Sequence, residues 1–284
     1  TKSIAGKTLS QFYSQKFTVK DQPKTALHSN DKLVKQLKAS YKVNESNNLV
    51  VYGAKGTTAK DLQDLQDAYG SVMRDLLPYF PAIQTSKHKP VIVMLKTAED
   101  EANYKKIGGV VMNNASAWIT NDNIIGVRSA ATPTLKHEYI HWMFTNIYKV
   151  NLPLWADEAV TGIFTNLYRE LGPNETLFTI FREYPHYIYT SYNEKNLYRA
   201  HTMESTAVIL QMLKEKGLKS FHSMLLDAKS TSLDAAWKKH YGVTPRNSAT
   251  YIQKMKQDYV DLMKSNGLDM EGLQAFNKQS KLLP

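Results

Sequence analysis

Hydrophobic positions in the first half of the chain change period several times. Asn48–Tyr52 and Pro90–Leu95 are short apolar runs, which predict buried strands. Between them Leu62, Leu65, Tyr69, Val72, Met73 and Leu76 recur at helical spacing, with Thr58 as the predicted N-cap and Pro78 and Pro81 closing the helix. Ala98–Lys106 reads as a short helix broken by Gly108 and Gly109. Ser116–Thr120 and Ile124–Arg128 read as a hairpin around Asn121, Asp122 and Asn123. A helix is predicted over 132–148, with Pro133 in its first turn. Leu135, Tyr139, Ile140, Trp142, Met143, Phe144 and Ile147 surround its axis, so it is expected to be buried on all sides.

The second half is almost all helical in pattern. Helices are expected over 154–171, 202–216 (with Gly217 as C-cap), 221–228, 233–240, 248–265 and 270–278. An aromatic, irregular stretch over 174–198 interrupts them. Residues 1–45 are polar and lysine-rich; Leu33, Val34 and Leu37 mark one short helix there. The organisation expected is α+β: an N-terminal extension (1–45), a subdomain with a small mixed sheet (46–150), and a helical C-terminal subdomain (151–284).

With 284 residues, 42% hydrophobic and 22% charged, the chain can bury a sizeable core. No apolar run is long enough for a membrane span. The net charge of +10 comes mostly from lysines spread along the chain. No nucleic-acid recognition motif accompanies them, so nucleic acid is not an expected partner, whereas an anionic cell surface fits the charge. There is no cysteine, which excludes disulfides and thiolate metal sites; a metal would need His, Asp or Glu. The chain begins at Thr1 without a signal peptide, as a mature or trimmed bacterial protein would, and an extracytoplasmic or secreted location is expected.

One polar stretch lies inside the most apolar helix: His137-Glu-Tyr-Ile-His141. Histidines four apart share one helix face and can hold one zinc ion, with Glu138 placed as general base toward a water at the open position. Two histidines need a third protein ligand. Phe144 and Ile147 stand where a metzincin needs Gly and His, and the inverted His-x-x-Glu-His motif is absent. What remains is a carboxylate from the next helix. Glu158, seventeen positions after His141, is favoured over its neighbour Asp157, which is turned about 100° around the helix.

His137-Glu138-x-x-His141 followed by Trp155-Ala-Asp-Glu158-Ala159 resembles the gluzincin zinc metallopeptidases, especially the bacterial peptidase MA-like group. Ala159 stands where that group usually has Gly. The order of elements, Tyr198-Arg-Ala-His-Thr-Met-Glu-Ser-Thr-Ala, and the 233–242 segment are similar too, so the resemblance covers roughly 46–260. It implies a zincin-like fold, one zinc ion held by His137, His141 and Glu158, and peptide hydrolysis with Glu138 as base. Tyr198 or His201 would face the oxyanion, with Tyr192 a further option. An edge strand, Ala115–Trp118 rather than 124–128, would pair with a peptide or protein substrate. One departure is Gly162, where thermolysin-type members carry an Asp that supports a zinc histidine; Thr161 and Asn166 are the candidates to replace it. The alternative is a catalytically inactive zinc-binding protein of the same fold that acts as a surface or interaction module.

Overall fold

The computed structural model describes residues 31–120, 123–165, 203–265 and 267. It is a mixed α+β protein with a small five-stranded sheet. The chain forms two compact units. One combines the described residues up to Tyr69 with Lys89–Glu138; the other combines Gly70–His88 with the described residues from Tyr139 onward. Two of the three boundaries, after Tyr69 and after Glu138, fall inside continuous helices.

The first unit is built on the sheet. β1 (Lys42–Glu45), β2 (Val50–Gly53), β3 (Val91–Met94), β4 (Ala117–Ile119) and β5 (Ile124–Val127) lie in the order β1-β2-β3-β5-β4. The central pairs β2–β3 and β3–β5 are parallel, and the outer two are antiparallel. The apolar runs around 50 and 91 therefore occupy the middle, as parallel strands covered on both faces require. The β4–β5 pairing is the hairpin expected from the turn residues, although positions 121 and 122 lie outside the described residues. β1 was not legible as a strand. Its residues are mostly exposed and only Val43 is apolar, so no alternation marks it. Part of the stretch read as an extension is thus an edge of the sheet, and α1 (Asp31–Ser40) packs Leu33 and Leu37 into the same core as Tyr52, Val93 and Trp118.

Arg128 fixes the approach to β4. Its Nε donates to Glu101 Oε1 at 2.7 Å, its Nη2 donates to the Met112 carbonyl at 3.1 Å, and its guanidinium lies 5.0 Å from the Trp118 ring centroid. Trp118 Nε1 donates to the Val110 carbonyl. Opposite the indole only glycine fits: a Cβ on Gly126 would come within 2.2 Å of the ring. A loop without secondary structure is so tied to the sheet by two side chains. Glu101 comes from α4 (Ala98–Lys106), whose capping box pairs Thr97 with Asp100.

α2 (Ala59–Leu76) starts where Thr58 predicted. Asp61 Oδ2 accepts from the Thr58 backbone N–H (2.8 Å) while Thr58 Oγ1 accepts from the Asp61 N–H (3.1 Å), a reciprocal cap of two orphan donors. Leu62, Leu65, Tyr69, Val72 and Leu76 are buried.

In the second unit, a short α3 (Ala82–Thr85) follows Pro81. α5 (Thr132–Met143), the helix shared by the two units, ends in a π-helical turn (Phe144–Tyr148) in place of the regular helix expected to 148. α6 (Leu154–Phe164), α7 (Met203–Ser230), α8 (Leu233–Tyr241) and α9 (Thr250–Ser265) follow. Gly217 interrupts α7 at φ 76°, ψ 159°, where the end of a helix was expected. Trp155 of α6 is buried edge-on against Trp237 of α8, with ring centroids 6.0 Å apart. Phe80 meets Phe144, Tyr148 and Phe164 edge-on and so packs the π turn against the end of α6. The helix expected over 270–278 and the 174–198 stretch lie outside the described residues. No described helix is long and apolar enough to cross a membrane.

The cap of α2 gives a pH test. The Thr58 N–H and hydroxyl and the Lys96 ammonium hold the Asp61 carboxyl down at about 2. A depressed folded pKa means the stabilisation is fully present above the ordinary carboxylate range and is lost as pH falls through about 2. Asp61→Ala, which removes the acceptor, is expected to lower stability by on the order of 1 kcal/mol at neutral pH, the usual size of a lost cap. Urea melts at several pH values check it: the gap between variant and parent should close on the acid side.

Candidate metal centre

α5 and α6 are joined by the π turn and five residues, and the connection brings one face of α6 back to His141. The nitrogen and oxygen ligand atoms of His137, His141 and Glu158 all lie within 4.8 Å of one another. The helical spacing alone accounts for the two histidines. Glu158 is the residue the connection has to deliver, and its Oε1 stands 3.8 Å from His141 Nε2. Two ligands at about 2.1 Å from a tetrahedral zinc ion are about 3.4 Å apart. The His141–Glu158 pair therefore needs to contract by only a few tenths of an ångström. Two imidazoles and a carboxylate, in a chain without cysteine, are a donor set that could hold a metal ion.

Asp157 turned out to have a different task from the one weighed for it. It does not compete with Glu158 for the same position. Its Oδ1 lies 2.9 Å from His141 Nδ1, and both side chains are buried, with exposures of 4% and 8%. A carboxylate accepts hydrogen bonds and cannot donate them, so the proton must sit on Nδ1. That leaves the Nε2 lone pair for a metal, on the side where Glu158 stands. Adjacent residues on α6 thus serve opposite nitrogens of one ring, because the 100° turn between them spans the imidazole. Thr161 Oγ1, one turn beyond Asp157, is 3.5 Å from Nδ1, at the outer limit of a hydrogen bond, so the carboxylate is the main partner. Asn166, the other candidate, lies outside the described residues. The signal that could have found Asp157 was available: an acid directly before Glu158 in a helix whose other positions are apolar or small except Thr161.

Glu138 is 8% exposed on α5 beside His137. Around it Tyr139 stacks on Trp142 (5.5 Å, 23°), and Ile140, Met143 and Leu135 are fully buried. Tyr198, His201 and Tyr192 lie outside the described residues, as does the rest of the aromatic stretch.

The Asp157 geometry makes a measurable claim. Asp157→Asn keeps the shape but removes the charge that fixes the Nδ1–H tautomer, and zinc affinity is expected to fall about tenfold to a hundredfold. Competition with a chromophoric chelator reads this directly. Glu158→Gln, which changes a ligand, is expected to lose more. No protein-family model matches the chain and no curated protein matches it, so the reading of this centre rests on its own residues.

Proposed function

We propose that the chain is a zinc-dependent peptidase of gluzincin type, with His137, His141 and Glu158 as metal ligands and Glu138 as general base. The observation that carries the proposal is the convergence of the three ligand groups together with a carboxylate on the far nitrogen of His141. A chance pair of histidines has no need of either. When bound, zinc would supply Lewis acidity, polarising a carbonyl and making water more acidic at neutral pH.

The chain's own residues supply the rest. Asp157 holds the His141 ring with its proton on Nδ1 and so turns Nε2 toward Glu158. Glu138 is the base that takes a proton from the attacking water and passes it to the leaving amine. The apolar helix around it limits water, which strengthens each electrostatic interaction inside. The hydrolysis balances as one water added across one amide bond, giving a carboxylate and an amine.

The sheet supports a peptide substrate. β4 is at the end of the strand order, with an open edge among the described residues. The Arg128 N–H donates to the Ser116 carbonyl, so Ser116 and Trp118 turn their main-chain groups toward β5. Ala117 and Ile119, the alternate residues, turn theirs to the open edge. An extended peptide added there would bond to those two residues. The edge is held in register by the Arg128 and Trp118 contacts, so it needs little ordering on binding.

Glu138→Gln decides the mechanism. The variant is expected to keep about one zinc per chain while peptide-library cleavage drops by roughly 10²–10⁴-fold. A parent chain that holds zinc and cleaves nothing in a broad library would instead favour an inactive binding protein. Hydrogen exchange with a non-cleavable peptide supplies an independent check: protection should rise at the Ala117 and Ile119 amides.

A further inference from the structure

The α5–α6 connection must deliver two carboxylates to one imidazole, and the end of α5 is irregular. Phe144–Tyr148 form a π-helical turn, which holds one residue more than an α turn. Its cause is visible in two polar side chains. Thr145 Oγ1 donates to the His141 carbonyl at 3.3 Å, and Asn146 Nδ2 donates to the Trp142 carbonyl at 2.9 Å. Both are bonds back by four residues, which compete with the helical ladder and bend or widen it. Asn146 is 6% exposed, so its amide meets the Trp142 carbonyl with little competition from water. The turn closes at Lys149, whose φ of 57° is left-handed and whose N–H returns to the Phe144 carbonyl; the Val150 N–H bonds to the same oxygen at 3.0 Å.

The consequence lies downstream. One residue corresponds to about 100° of rotation around a helix axis. If the π turn tightened to an α turn, the chain would leave α5 in a different direction by about that angle. Pro153, whose carbonyl accepts from the Ala156 and Asp157 N–H groups at the start of α6, would move with it. Asp157 and Glu158 would then lose their places on the two sides of His141.

We propose that Asn146 is a positioning residue for the metal centre: by holding the Trp142 carbonyl it keeps the widened turn that returns Asp157 to His141 Nδ1 and Glu158 to Nε2. This rests on the metal reading given above and adds a residue that touches neither metal nor substrate.

The test compares Asn146→Ala with Asn146→Ser in the full chain. The serine hydroxyl can make the same bond back to a carbonyl four residues earlier, whereas alanine cannot. Two readouts are taken: zinc affinity by chelator competition, and the ¹⁵N shifts of the His141 ring in the metal-free protein. Asn146→Ala is expected to weaken zinc about tenfold and to mix the His141 tautomers, and Asn146→Ser to restore both toward the parent. Equal affinity and an unchanged Nδ1–H tautomer in Asn146→Ala would overturn the proposal. So would an equal loss in both variants, since that reports lost packing and not the hydrogen bond. If Asn146→Ala does not fold, Asn146→Asp, of nearly the same volume and without the donor, is read in its place. A parent chain that binds no zinc would sink the peptidase reading, yet the tautomer measurement would still decide the role of Asn146.

Discussion

The contact between Asp157 and His141 is the interaction on which the centre depends. Two ionisable groups that are almost wholly buried cannot stay there unpaired, because desolvation of either alone costs several kcal/mol. Pairing resolves the cost only in one arrangement, with the proton on Nδ1. That arrangement also dictates which nitrogen remains available. A local requirement for satisfying buried charge and the chemical requirement for a metal ligand are met by the same hydrogen bond. Removing the acid would leave both unmet.

This explains why α6 is so apolar elsewhere. Trp155, Ala156, Ala159, Val160, Ile163 and Phe164 are buried, and Trp155 is wedged against Trp237. A helix held by packing on all other sides has no freedom to roll, so Asp157 and Glu158 keep their directions. The small residues Ala159 and Gly162 are buried on the same helix. The precision of two side chains is supplied by the bulk of the rest.

Sequence periodicity made much of the fold legible, and its limits are instructive. The two central strands showed because parallel strands are apolar on both faces; β1 stayed hidden because an exposed edge of four residues carries no such pattern. α2 was found with its start because its capping residue, Thr58, acts locally. At the centre, His137, His141 and Glu158 were legible from spacing and the apolar setting, and the structure gathers those three residues. The role of Asp157 was not, since a 100° turn was read as pointing away from the site. It does point away from Glu158, but the imidazole is wide enough to be met on both sides.

The π turn belongs to the same lesson. A helical wheel drawn over 132–148 assumes 3.6 residues per turn, and an extra residue is invisible to it. Thr145 and Asn146 carried the only trace: two residues that favour bonds to nearby carbonyls, side by side at the end of an otherwise apolar helix. Their effect on the site is indirect and depends on angle, not on contact. Residues that bend a helix before a short connection therefore belong in any account of what the next helix presents. For this chain the paired histidines and the residue proposed to fix their partners lie within ten positions of one another, yet only the histidines have a pattern that spacing can reveal.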